Sequence, residues 1–302
     1  MKMKTIAAVV LAMTCMGCSY TGLLSKPVPP PDDKHEVDAR YAYLSCNLET
    51  VRKYTTDTQI RDSDGVYLYA LMASNAYEDE GQYEIPGWTR VRRFESTSGL
   101  GLDEYERIGS DPLELVVAYR GTSNFTDWGA NLALIEPAQH REAYDRMVEL
   151  RAIHPEAKIT ATGHSLGGAL ALNMSTRFDN LPAYVFNSSP RAFFAAKGKS
   201  NSRTLVWETG ELLNVVRRPW LAARMQDAPR MPFNFMDYNW HNSLKVIREH
   251  NMYGLSRGLL IAAVANGNPH AKQVFTANVS GHASLVDEVR GCDPMFDVPM
   301  AQ

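Results

Sequence analysis

The stretch Thr160-Ala-Thr-Gly-His-Ser-Leu-Gly-Gly-Ala169 constrains this 302-residue chain more than any other. It contains Gly163-His164-Ser165-Leu166-Gly167, a G-x-S-x-G pattern. The run Lys158-Ile-Thr-Ala-Thr before it reads as a strand, and Gly168 to about Phe178 after it as a helix. A strand must therefore turn abruptly into a helix at Ser165. A serine hydroxyl is a weak nucleophile until a neighbouring base takes its proton, and a sharp turn pushes it out where a base and a substrate both reach it. Glycines flank the serine because a larger side chain would crowd the turn. The helix N-terminus then offers N–H groups and partial positive charge to a developing oxyanion. A glycine-rich turn with an incidental serine is the competing reading; the flanking strand and helix and the added Gly168 favour the first.

The chain around this stretch alternates strands and helices. A helix is expected over Asp64 to Tyr77, capped by Asp62 or Asp64. Strands follow over Trp88–Phe94 and Leu113–Tyr119, with a turn over Ser96–Gly101 between them. Arg141 to Ile153 is an amphipathic helix stopped by Pro155. Pro182–Asn187 and Arg203–Trp207 read as further strands, Val215–Asn242 as an irregular excursion, and Glu249–Ala265 as a helix ended by Asn266-Gly-Asn-Pro. This order implies an α/β fold with a mostly parallel central sheet and helices on both faces.

Net charge is −3, so no basic field points to nucleic acid. No Cys/His spacing suggests a metal site. The N-terminus stands apart. Met1-Lys-Met-Lys and Ile6-Ala-Ala-Val-Val-Leu-Ala-Met form the positive and apolar parts of a secretory signal too short for a comfortable membrane span. Cys15-Met-Gly-Cys18-Ser19 comes next and resembles a bacterial lipobox, with Cys15 where leucine is usual. That resemblance implies cleavage before Cys18, lipidation of Cys18, and an anchor in the outer membrane, since Ser19 is not the aspartate that signals inner-membrane retention. A secreted or periplasmic protein is the alternative. Residues 1–18 are then a signal peptide, 19–40 a Pro-rich linker containing Lys26-Pro-Val-Pro-Pro-Pro, and 41–302 a single domain. Cys46 and Cys292 remain, as one disulfide or as two buried thiols.

Several blocks occur in a recognisable order: Ala118-Tyr-Arg-Gly-Thr122, Asp127-Trp128 and Asn131-Leu132, then Thr162-Gly-His-Ser-Leu-Gly-Gly-Ala-Leu-Ala171, then Phe186-Asn-Ser-Ser-Pro-Arg191. From about Asp64 to Tyr253 the chain resembles the class 3, fungal-type lipases among the α/β-hydrolases. The resemblance implies that Ser165 is the nucleophile and that Thr122 and the backbone N–H of Leu166 form the oxyanion hole. It places the triad acid just past the Leu205-Val-Trp strand, at Glu211, with glutamate where aspartate is usual and Glu208 as the rival. It places the base before the terminal helix, at His250 in Glu249-His-Asn-Met-Tyr253; His282 is the runner-up, and His241 and His270 also follow the acid in chain order. Arg120 is expected to pair with a carboxylate such as Asp127, and His164 to pack with its side chain turned from the hydroxyl. The segment Asn124–Ile135 corresponds to the family's lid and carries Phe125, Trp128, Leu132 and Leu134, which either meet lipid or pack in the core.

The activity implied is hydrolysis of carboxylic esters of lipids, as by a triacylglycerol lipase or esterase, through an acyl-enzyme on Ser165, with no cofactor or metal and a lipid ester as partner. A phospholipase A1 or lysophospholipase at the bacterial envelope is the alternative in the same class. A non-catalytic surface lipoprotein on a hydrolase scaffold is the alternative outside it.

Overall fold

A computed structural model describes residues 55–77, 83–121, 137–189, 201–208, 233–238 and 252–279, all within the unit Tyr41–Gln302. Among them the elements run α1 (Asp57–Ser63), α2 (Tyr67–Asn75), β1 (Trp88–Glu95), β2 (Gly101–Arg107), β3 (Glu114–Tyr119), α3 (Pro137–Ile153), β4 (Lys158–His164), α4 (Leu166–Arg177), β5 (Ala183–Phe186), β6 (Arg203–Glu208), β7 (Phe233–Tyr238), α5 (Met252–Ala265) and α6 (Pro269–Val279). The strands form one sheet in chain order, β1 to β7. β1, β2 and β3 pair antiparallel, and β3 through β7 pair parallel. The expected mostly parallel sheet is therefore present.

Side-chain alternation along the strands feeds two cores, one on each face. On one face Val116, Ala118, Phe186 and Val206 pack with α2, α5 and α6. On the other Leu115, Val117, Tyr119, Ile159, Ala161, Val185 and Leu205 pack with α3 and α4. α2 and α5 are apolar nearly all round, and their residues are buried accordingly. Fully burying a side chain such as Leu71 or Met72 contributes about 1.5–3 kcal/mol relative to leaving it exposed.

The structure departs from or adds to the sequence reading in four places. The helix expected over 64–77 is the shorter α2, and a separate helix, α1, precedes it. Thr56 and Gln59 form a capping box that starts α1 earlier, and Asp64 is the C-cap of α1, not the N-cap of α2. α2 starts after Val66 with no side-chain cap, and the Asp64 carboxylate accepts instead from Asn266 Nδ2 at 2.5 Å. The stretch after the turn at Ser96 holds an unexpected strand, β2. Its sequence Gly-Leu-Asp-Glu-Tyr-Glu-Arg has no apolar alternation, because adjacent acids on opposite faces are each met by arginines. Asp103 is gripped by Arg93 at 2.8 and 2.9 Å and by Arg90 at 3.4 Å. Glu104 is gripped bidentately by Arg146 of α3 at 2.6 and 2.9 Å and approached by Arg92 at 3.6 Å. The excursion expected over 215–242 contains β7, paired with β6 from Arg203↔Phe233 to Glu208↔Tyr238. Beyond α5, Asn266-Gly-Asn-Pro does end the helix, with Gly267 at φ 86°, but α6 begins at once on Pro269, a residue suited to a first helical turn.

The parallel register puts the C-terminal ends of β3, β4, β5 and β6 along one edge. Gly121, Ser165, Asn187 and Glu208 lie along that edge, which is where open α/β sheets place their sites. Among the described residues no helix is long and apolar enough to cross a membrane.

Candidate active site

Ser165 lies between β4 and α4 with φ 55° and ψ −120°. A non-glycine residue held at positive φ costs on the order of 1–3 kcal/mol and persists only where its surroundings over-determine it. They do so here. The Ser165 N–H donates to the Phe186 carbonyl at 3.0 Å, and its carbonyl accepts from Ala169 N–H at 3.2 Å and Ser189 N–H at 2.8 Å. Ser165 is 3% exposed. Leu166 opens α4, so its N–H belongs to the first turn, which no intrahelical carbonyl reaches.

Two glycines make the approach possible. A Cβ at Gly167 would stand 2.0 Å from the Tyr119 carbonyl oxygen, so α4 can start against the end of β3 only with glycine there. A Cβ at Gly121 would stand 2.1 Å from the Tyr77 hydroxyl and 3.2 Å from Ser165 Cβ. Gly121, the residue before Thr122, therefore runs directly beside the nucleophile.

Tyr77 joins these two walls. The Gly121 N–H donates to the Tyr77 hydroxyl at 3.0 Å, and that hydroxyl lies 2.8 Å from His164 Nδ1 and 3.3 Å from the His164 carbonyl. The rings meet edge-on at 5.6 Å. Burial pushes the Tyr77 phenol well above its ordinary pKa, so the hydroxyl keeps the proton it needs to donate. His164 is thus engaged by Tyr77 as a packing and hydrogen-bonding residue, as its sequence position suggests. Tyr77 itself went unmarked in the sequence: an aromatic closing a buried helical run looks like any core residue.

The remaining site residues are placed as far as the described chain allows. Glu208 is the last residue of β6 and fully buried. Its N–H donates to Asn187 Oδ1 at 3.0 Å. Arg120 pairs with Glu95; Asp127, its expected partner, lies outside the described residues. His270 sits in α6 with both ring nitrogens engaged, Nε2 at 2.7 Å from the Pro86 carbonyl and Nδ1 at 2.5 Å from the Tyr67 hydroxyl. The first contact needs an Nε2 proton, and the two contacts tie the ring into the packing of α6. Thr122, Glu211, His241, His250, His282, the segment 124–135, Cys18, Cys46 and Cys292 lie outside the described residues. Among the described residues no cluster of three or more His, Cys, Asp or Glu could hold a metal ion.

A serine strained onto a strand–turn–helix corner at the C-terminal edge of a mostly parallel sheet is the arrangement of an α/β-hydrolase fold. Residues 68–202 match the family model of the Tle-like phospholipase domain. No curated protein matches the chain. Among solved structures it is similar to a lipase from Rhizopus microsporus var. chinensis (20% identity, TM-score 0.38, covering 54% of this chain and 70% of that one). It is also similar to a triacylglycerol lipase from Penicillium expansum (19%, TM-score 0.39, 60% and 80%). A third is an S-formylglutathione hydrolase from Agrobacterium tumefaciens (14%, TM-score 0.37, 61% and 94%).

Proposed function

We propose that the protein is a serine hydrolase that cleaves carboxylic ester bonds of lipids. The observation that carries this reading is the strained, over-determined conformation of Ser165 beside Gly121 and at the N-terminus of α4. Ser165 Oγ attacks the ester carbonyl while His250 takes its proton. The oxyanion of the tetrahedral intermediate is met by Thr122 and the Leu166 N–H. His250 then protonates the leaving alcohol, leaving an acyl group on Ser165, and water activated by the same imidazole releases the acid. Glu211, or its rival Glu208, orients the imidazole and stabilises its charged form.

Within this class the match of residues 68–202 to a phospholipase domain model favours a phospholipid substrate, cleaved as by a phospholipase A1 or lysophospholipase. The sequence-based reading of Cys18 as a lipidated residue in the outer membrane agrees with that choice, because phospholipid would then lie within reach.

The test is hydrolysis of a short and a long p-nitrophenyl ester by the full chain. It is run beside Ser165→Ala, Glu208→Gln, Glu211→Gln, His250→Ala and His282→Ala. Ser165→Ala is expected to be dead, with one histidine and one glutamate variant falling by about 10³–10⁴. A folded wild type that leaves both esters and a fluorophosphonate probe untouched overturns the reading in favour of a non-catalytic scaffold. Phosphatidylcholine vesicles are expected to be cleaved faster than triacylglycerol emulsions; the reverse ranking removes the phospholipase assignment.

A further inference from the structure

Asn187 stands where β5 ends and the chain leaves the sheet. Its N–H continues the ladder, donating to the Val206 carbonyl at 2.8 Å. In a regularly continued parallel pair its own carbonyl would then accept from the Glu208 N–H. At a φ of 40° the backbone turns aside, and two residues later the Ser189 N–H donates to the Ser165 carbonyl at 2.8 Å. The side chain fills the place the backbone has vacated: Asn187 Oδ1 accepts from the Glu208 N–H at 3.0 Å. Asparagine suits this because it tolerates the left-handed region and its amide mimics a backbone group. Asn187 and Glu208 are both fully buried.

We infer that Asn187 is the positioning residue of the triad acid. One residue lets β5 divert to the elbow while its side chain holds the last residue of β6 in the sheet. That fixes Glu208 and the end of β6 relative to Ser165; Glu208 is one candidate acid, and Glu211, the other, follows it by three positions in the sequence. The inference rests on the serine-hydrolase reading above. An acid held in place raises the pKa of the imidazole it faces by stabilising the imidazolium. If the acid is released, the imidazole pKa falls, and the acid limb of the rate–pH profile moves to lower pH.

The experiment measures kcat and KM for a soluble p-nitrophenyl ester, and the rate of fluorophosphonate labelling, from pH 5 to 9, on the full chain. Asn187→Gly permits the positive φ but removes the acceptor. It is expected to lower kcat by about ten- to a hundredfold, part of the roughly 10⁴-fold cost of losing a triad acid's function, with KM little changed and the acid limb displaced to lower pH. Combined with whichever of Glu208→Gln and Glu211→Gln abolishes activity, it is expected to add no further loss. Asn187→Asp keeps an acceptor for the Glu208 N–H and is expected to hold kcat near wild type with the limb at or above its wild-type position. Should the glycine variant not fold, the aspartate variant carries the test alone: a fall in kcat matching that of the acid variant overturns the inference. So does an Asn187→Gly protein that loses activity only with its folded fraction and leaves the limb unmoved. Asn180→Gly, at another positive-φ asparagine (φ 51°), controls for the backbone change and is expected to leave the profile alone. If Ser165→Ala is as active as wild type, the serine-hydrolase reading falls and the inference with it. If Ser165→Ala is dead while Asn187→Gly has a wild-type limb, only the inference falls.

Discussion

Tyr77 shows how one hydroxyl at the end of a helix can serve two loops at once. It accepts from Gly121 on one wall of the site and meets His164 on the other, so its contacts fix the spacing between the segment leading to Thr122 and the elbow. Tyr77→Phe keeps the ring in its edge-on contact and removes only the oxygen, leaving a buried N–H without its acceptor, which costs about 1–3 kcal/mol. On the proposed mechanism part of that cost falls on the oxyanion hole. We expect kcat for p-nitrophenyl esters to drop by about tenfold with KM nearly constant, and the thermal midpoint to fall by a few degrees. An unchanged kcat alongside the lower midpoint would show the hydroxyl to be structural only. At this scale the sequence revealed what chemistry demands and concealed what geometry demands. Ser165, Gly163 and Gly167 are legible because the turn tolerates little else. Tyr77 and Asn187 are not, because their work depends on groups 87 and 21 positions away.

At the scale of elements, legibility followed the source of stability. β3, β4 and β6 are apolar enough to be read directly, and α3 by its period, although Pro137 starts it four residues before the expected Arg141. β2 is held by ion pairs between strands and helix, which leave no periodic trace. That makes Arg146 a sharp test. Arg146→Met removes the bidentate partner of Glu104 and leaves a buried carboxylate with only the half-exposed Arg92 at 3.6 Å. Stripping one partner from a buried pair costs about 3–5 kcal/mol, so the urea midpoint should fall steeply. Adding Glu104→Gln should recover part of the loss, and no recovery would mean that packing, not charge, dominates there.

α3 carries a second testable group. His140 is 8% exposed; burial lowers its pKa below the usual 6.5, a hydrogen bond with Asn173 of α4 partly opposes this, and Arg177 adds to the lowering. The folded state therefore resists the proton that the unfolded chain accepts. Stability is unaffected well above 6.5 and declines as pH falls below it toward the folded-state value. The urea midpoint of wild type should be lower at pH 5.5 than at 7.5, and His140→Gln should narrow that difference. An equal difference in both proteins would exclude His140 as a source.

For the whole molecule, the fold class was legible because the order of strands and helices admits few topologies, while the strands at positions two and seven of the sheet were not. The chain before Tyr41 poses a separate question of where the domain works. Cys18 in Met16-Gly-Cys-Ser resembles a lipidation site, and the proposed phospholipid substrate gives such a site a purpose. One acyl chain gives only reversible membrane binding, whereas two or more give stable anchoring. A lipidated Cys18 with several chains should therefore keep the protein in the membrane pellet through a high-salt wash, which strips proteins held by charge alone. Cys18→Ser should abolish labelling by an alkyne fatty-acid analogue and lose the salt-resistant hold. Fractionation of both proteins decides it: a Cys18→Ser chain that stays in the washed pellet, or a wild type that takes up no label, would place the membrane contact elsewhere in the molecule.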